Sequence, residues 1–288
     1  MLVPMKYILN RAYEGKYGVP AIPSFNEIFI RSAFEAAEKT NSPLIFLTHN
    51  MPTVLHNHAL IAELAAQTDI PVATCLDHSP SFEDAIKGIR NGVTSLMADR
   101  SMKSFEENVA EVKELAKIAH ALGLSVEGEL GHVGQGDNYA IDGVSMLTVP
   151  EEAKKFFELS ETDALAVAVG TAHGVYVGTP HIDFERLKDI DAACGKPLVL
   201  HGGSGSGDEN ISKACTMGIT KVNIVTDFFV ATNNAILDAK LPDAEAKFIY
   251  RVAQKANTDF AVHTFELTGC KGKVDSEYIK GLKEELKK

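Results

Sequence analysis

Eight short runs of apolar and β-branched residues recur along this chain, with a stretch of helical periodicity between each run and the next. The runs fall at 17–24, 43–49, 71–78, 94–99, 125–131, 164–173, 197–203 and 221–226. Most are apolar throughout instead of alternating, the pattern of parallel strands covered on both faces. Helices are predicted at 27–39, 54–67, 82–90, 105–122, 150–159, 184–193, 208–217 and 227–239. The clearest starts after Ser104. Ser104 and Glu107 have capping-box spacing, Phe105, Val109, Val112, Ala116 and Ala119 share one face, and Gly123 stands where a helix ends.

Strand followed by helix, eight times over, is the arithmetic of an α/β (β/α)8 barrel. The barrel is expected over about 17–240 of a single domain spanning 1–288, with a helical extension over about 241–288. Residues 243–265 and 275–287 read as extra helices, packed on the barrel's outside or on a partner subunit. The alternative, an open doubly wound sheet, would carry a glycine-rich loop after its first strand, and none follows residue 24.

Composition narrows the function. A formal charge of −11 argues against nucleic acid as the main partner. No apolar run is long enough for a membrane span, and residues 1–7 lack the apolar core of a signal peptide. Cys75, Cys194, Cys215 and Cys270 form no C-x-x-C pair, which suits unpaired thiols in a reducing cytoplasm.

In such a barrel, chemistry gathers where the strands end. Strand three ends in Asp77-His78, strand four in Asp99-Arg100, and strand five carries Glu127 and Glu129. Strand six ends in His173-Gly174 and strand seven in His201-Gly202-Gly203-Ser204, while strand eight carries Asn223 and Thr226. One such histidine alone is as readily a hydrogen-bonded rim residue. His78, His173 and His201 at matching depth instead suggest a metal held by three imidazoles with an open position. His56 and His58 read as surface or packing residues, and His120 as a helix-end residue suited to the dipole. Asp77 could serve as a general base beside the metal, or as a partner that orients a histidine. Glu129 could be an alternative metal ligand and Asp99 could hold a second cation; both could also be salt-bridge partners. Gly202, Gly203 and Ser204 open a loop before a helix, where backbone N–H groups cradle phosphate, and Thr226 could add a hydroxyl.

The motifs LDH at 76–78, EGEL at 127–130, GTAHG at 170–174, LHGGSG at 200–205 and KVNIVTD at 221–227 together resemble the class II fructose-bisphosphate and tagatose-bisphosphate aldolases. The resemblance runs in order from about 17 to 227, with an echo at Thr268-Gly269-Cys270. It implies a zinc-dependent lyase that cleaves a phosphorylated ketose to dihydroxyacetone phosphate and an aldehyde, and a homodimer or homotetramer. His78, His173 and His201 would bind zinc, with Glu129 close by. Asp77 would move the C4 hydroxyl proton, and Asn223 would contact the enediolate. Gly174, Gly203, Ser204 and Thr226 would hold the phosphate, with Na+ or K+ near it.

The chain departs from that family at two places. The mobile loop after strand five typically carries a glutamate in a GG-x-E-D type sequence, whereas this loop reads GHVGQGDNY at 131–139. Asp137 stands where the acid is expected, with Asp142 as the other choice. At the distal end, Pro23 replaces an asparagine, His49 a serine, and Phe228-Phe229 a basic residue. Two accounts follow. Either the aldehyde is not glyceraldehyde 3-phosphate, or Arg251, Lys255 or a partner subunit supplies the missing charge. Outside the aldolases, the alternatives are a metal-dependent barrel hydrolase and a binding homologue without catalysis. A hydrolase would carry an H-x-H pair at the end of strand one, where Ser24-Phe25-Asn26 stands. Neither a nicotinamide site nor a Schiff-base lysine is expected; Lys221 is expected at the opposite rim, opening strand eight.

Overall fold

The computed structural model describes residues 1–135, 140–141, 144–145, 147–174, 176, 178 and 180–287. After an N-terminal helix α1 (Met5–Glu14) come β1 (Val19–Pro23), α2 (Glu27–Thr40), β2 (Leu44–Thr48), α3 (Pro52–Ala66), β3 (Val72–Ser79) and α4 (Phe82–Arg90). The chain continues through β4 (Ser95–Ala98), α5 (Phe105–Ala121), β5 (Ser125–Leu130), α6 (Pro150–Ser160), β6 (Ala164–Val167) and α7 (Phe184–Cys194). It then forms β7 (Leu198–Leu200), α8 (Asp208–Cys215), β8 (Ile219–Asn223) and α9 (Thr226–Ala239). The eight strands are parallel and hydrogen-bond in chain order, β8 closing onto β1. Strands β1, β2, β4, β5, β6, β7 and β8 are buried at every position, as continuous apolar runs between helices require.

The capping box predicted for α5 is formed. Ser104 Oγ accepts from the Glu107 N–H at 3.3 Å, and the Glu107 carboxylate accepts from the Ser104 N–H at 3.2 Å. Ser104→Ala is expected to destabilise folding by about 1 kcal/mol with turnover unchanged. Urea unfolding checks this, and an unmoved midpoint would deny the cap its role.

Helix α1 stands outside the eightfold strand-and-helix repeat, ahead of β1. Its buried residues Met5, Ile8, Leu9 and Ala12 follow helical spacing, but no side chain among the described residues caps its start. Its first N–H groups find partners elsewhere: Met5 donates to Ser95 Oγ and Lys6 to Ser125 Oγ, each at 3.0 Å. These serines open β4 and β5, so α1 covers the end of the barrel where strands begin.

Two boundaries differ from expectation. The sixth run is not one strand over 164–173. Gly170 adopts φ +107°, and a Cβ there would lie 2.2 Å from the His181 carbonyl oxygen, so the chain breaks from the barrel after β6. Ala172–His173 instead pairs in parallel with Gly134–Gln135 outside the barrel. The expected helix at 243–265 is a 3-10 segment, Asp243–Phe248, followed by α10 (Ile249–Leu267); α11 is Ser276–Glu285. Helix α10 packs against α2 and α9 of the same chain, and Phe229, Val230, Leu237, Ile249 and Tyr250 on these elements stay exposed. No helix among the described residues is long and apolar enough to cross a membrane.

Candidate active site

The three histidines meet over the ends of β3, β6 and β7. His78 reaches the site from an irregularity in β3, where pairing with β4 shifts register between Leu76 and Ser79 and His78 adopts φ +45°. This bulge turns Asp77 and His78 into one pocket, which regular alternation would prevent. His201 follows the last residue of β7, and His173 comes from the short strand beyond Gly170. The rings stand edge-on to one another, with centroids 4.9 Å apart for His78–His173 and His78–His201, and 5.5 Å for His173–His201.

Two of the rings are held from behind. His78 Nδ1 lies 2.9 Å from Asp99 Oδ2, and Asp99 Oδ1 accepts from the Ser101 hydroxyl at 2.8 Å. His201 Nε2 lies 2.9 Å from Glu127 Oε1. Their other nitrogens, His78 Nε2 and His201 Nδ1, face each other at 3.2 Å. Two ligands on a tetrahedral zinc, each about 2.0–2.1 Å from the ion, stand about 3.3 Å apart. His173 Nε2 is buried with no hydrogen-bond partner among the described residues. One nitrogen from each ring lies within 4.8 Å of the others. A divalent ion between them would satisfy all three, so the residues present fit zinc. His78, Asp99 and Glu129 form a second compact group, also within 4.8 Å.

Electrostatics favour a cation here. Burial, then the positive charge of neighbouring histidines, pushes His173 down to about 3, leaving it a neutral donor. Burial also lowers His201, with Glu127 opposing. For His78 burial works downward, but Asp77, Asp99 and Glu129 outweigh it and raise it to about 9. Carboxylates that favour a proton there favour a dication in its place. Burial, followed by repulsion from Asp99, raises Glu129 to about 8; its Oε2 is buried without a partner among the described residues. Burial works to raise Asp77, but the positive charge of His78 first, and of Lys221 behind it, outweighs burial and holds the carboxyl well below its usual range.

Asp77, His49, Asn223, Gly174, Gly202, Ser204, Val225 and Thr226 line one pocket with His78 and His173. Asn223 Nδ2 donates to Asp77 Oδ1 at 3.2 Å. Ser204 Oγ accepts from the N–H groups of Val225 (3.1 Å) and Asp227 (3.3 Å) at the start of α9. That leaves its own proton for an anion at this helix end, where the dipole is positive. Gly202 (φ +66°) has no room for a side chain, since a Cβ would sit 2.2 Å from the Ala172 carbonyl oxygen. Gly203 is outside the pocket lining; its N–H is spent on the Asn223 carbonyl at 3.0 Å.

The distal positions divide. Pro23 is buried at the end of β1, opposite Leu47, and does not line the pocket. His49 does, stacked on Phe25 at 4.9 Å, with Nε2 3.7 Å from Asp77 Oδ2. Phe25 touches the half-exposed Phe229 at 5.5 Å, whereas Phe228 is buried. Arg251 and Lys255 lie away from this pocket, in a groove beside Glu35 and Gln254 between α2 and α10. Asp137 and Asp142 lie outside the described residues.

Lys221 corrects the sequence expectation. It lies mid-strand in β8, fully buried, with Nζ 2.8 Å from Glu127 Oε2. Strands β5 and β8 are not neighbours, so this ion pair crosses the barrel interior. Tyr176 is a second feature that the sequence does not mark. Its hydroxyl lies 2.6 Å from the Ala172 carbonyl and 2.8 Å from that of Gly202, bracing the two loops that carry His173 and Ser204. His132, unassigned from sequence, stands behind the site at 3.1 Å from Ser101 Oγ. The spacing of strand ends could reveal none of these three. His58 is buried, and burial takes it down to about 4; His120 meets Asp163 at 2.9 Å.

The model of the family described as "Fructose-bisphosphate aldolase class-II" matches residues 3–273. The chain belongs to the class II fructose-bisphosphate aldolase family. It is therefore a lyase of the aldolase type, in a family that is generally zinc-dependent. Among solved structures, the YdjI aldolase from Escherichia coli is 32% identical with a TM-score of 0.84, covering 96% of this chain and 100% of its own. The fructose-bisphosphate aldolase from Campylobacter jejuni shares the fold at 22% identity and a TM-score of 0.80, over 94% of this chain and 96% of its own. Membership of an aldolase family sets aside the hydrolase alternative.

Proposed function

We propose that this aldolase cleaves a ketose 1-phosphate between C3 and C4, releasing dihydroxyacetone phosphate and an aldehyde without a terminal phosphate. The observation that carries the cleavage is Asp77: a buried carboxylate kept ionised, beside three imidazoles but outside their hydrogen bonds, with Asn223 donating to it.

His78, His173 and His201 would hold zinc, and Asp99 and Glu129 with His78 could hold a second divalent ion. When bound, the metal supplies Lewis acidity that polarises the C2 carbonyl. Asp77 accepts the proton of the C4 hydroxyl. The C4 oxygen becomes the aldehyde carbonyl, the C3–C4 bond breaks, and its electron pair passes into the C2–C3 enediolate. The Asn223 amide is positioned for the developing oxyanion. The C1 phosphate lies at the α9 amino end against Ser204, Thr226 and the backbone at Gly174 and Gly202. Proton delivery to C3 falls to the loop after β5, with Asp137 as the candidate acid.

The aldehyde end supports the absence of a second phosphate. Leaving the pocket past Asp77, the substrate meets His49, Phe25 and Phe229, aromatic surface in place of cations. Burial lowers His49, the Asp77 charge opposing, so it offers a neutral imidazole. Arg251 and Lys255 line a separate groove in this chain. A phosphate on such a wall loses its hydration without a charged partner. Single-phosphate ketoses are expected to have kcat/KM at least about tenfold above fructose 1,6-bisphosphate and tagatose 1,6-bisphosphate, a modest share of the discrimination an unpaired charge can impose. A coupled dehydrogenase assay compares them; preference for either bisphosphate would end this reading of the aldehyde half.

A further inference from the structure

The barrel interior holds an ion pair where apolar layers are the usual filling. Glu127, Lys221 and His201 are all fully buried, on β5, on β8 and directly after β7. Burying a carboxylate and an ammonium is poor value for stability, because desolvation offsets their attraction. What the pair does have is one imidazole to act on. Glu127 Oε1 lies 2.9 Å from His201 Nε2, and Lys221 Nζ reaches Oε2 at 2.8 Å and Oε1 at 3.2 Å.

An ionised carboxylate only accepts hydrogen bonds, so His201 must carry its proton on Nε2. Its Nδ1 lone pair then faces His78 Nε2, 3.2 Å away. Asn223 Nδ2 also lies 3.4 Å from His201 Nε2, but two donors do not bond, so the amide proton remains for Asp77 Oδ1 at 3.2 Å.

Resting on His78, His173 and His201 as the metal's ligands, we propose that Glu127 and Lys221 are a positioning pair for the metal site. Glu127 fixes the tautomer and angle of His201. Lys221 fills the carboxylate's remaining acceptor sites, holding it in the second layer, where it orients the ligand without binding the metal. The same arrangement leaves Asn223 pointed at Asp77, linking the barrel interior to the group that handles the substrate's proton.

The test is the double variant Glu127→Gln/Lys221→Met, which removes both charges at nearly constant volume. A glutamine can accept or donate, so it no longer dictates where the His201 proton sits. Zinc dissociation measured by competition with a chromophoric chelator is expected to rise about 10- to 100-fold, with a changed visible spectrum in the cobalt-substituted protein. A purely structural pair would alter thermal stability and leave both readouts in place, and that result overturns the proposal. Should the variant not fold, nitrogen-15 NMR of imidazole-labelled wild-type protein decides. On adding zinc, His201 is expected to keep a protonated Nε2 and bind through Nδ1; a proton on Nδ1 overturns the pair's role alone. If none of the three imidazoles responds to zinc, the ligand set falls and the pair's role with it.

Discussion

Asp77→Asn is expected to slow ketose cleavage by about 10²–10⁴-fold, the range a positioned proton-transfer group supplies, while zinc content stays at the wild-type level. Asparagine keeps the shape of the side chain and an oxygen that can still accept from Asn223, so the pocket need not rearrange. What it lacks is basicity. The wild-type carboxyl remains ionised because the surrounding positive charge outweighs its burial, so the base is in its active form without help from pH. The substitution also separates the two proton transfers. Asp77 handles the C4 hydroxyl, whereas the proton at C3 of dihydroxyacetone phosphate belongs to another acid. Exchange of that C3 proton with deuterated solvent should therefore persist in Asp77→Asn while cleavage collapses. Cleavage at more than half the wild-type rate, or equal loss of exchange and cleavage, would remove Asp77 from this role.

The fold was legible because parallel strands buried on both faces leave a continuous apolar signature, and eight of them close into one barrel. The convergence of positions 78, 173 and 201 followed from that closure, since strand ends in a barrel share one rim. Three features resisted. The bulge at Asp77-His78 has no marker in composition, yet it decides that consecutive residues serve one pocket. Gly170 looked like strand interior, although its positive φ and the crowding carbonyl of His181 end the strand there and set His173 on a separate short ladder. The burial of Lys221 and Glu127 runs against the expectation that charged residues stand at rims. Their pairing joins strands that are three apart in the ring, and no local pattern encodes such a contact. The distal end shows the opposite limit. His49 and Pro23 are both expected beside the distal phosphate, but only His49 lines the pocket, and Pro23 is buried at the end of β1.

Stripping the metal should have an effect of the same order as losing Asp77. The chelator-treated protein is expected to lose roughly a thousandfold or more in turnover, equivalent to several kcal/mol of transition-state stabilisation, and to recover it on adding zinc. His173→Ala is the sharper form of the test. Among the described residues its Nε2 is buried without a partner, and its ring is kept neutral, so it is suited to donate a lone pair. His78 and His201 are different: each is also tied to a carboxylate, and replacing either would take a partner from Asp99 or Glu127 and blur the result with lost stability. His173→Ala should thus weaken zinc retention and turnover together while the metal-free protein keeps its unfolding midpoint. Metal content by mass spectrometry and unfolding in the presence of a chelator separate the two effects. Full zinc occupancy with normal cleavage in this variant would show that the ion sits elsewhere, and undiminished turnover after complete metal removal would defeat the metal-dependent mechanism itself.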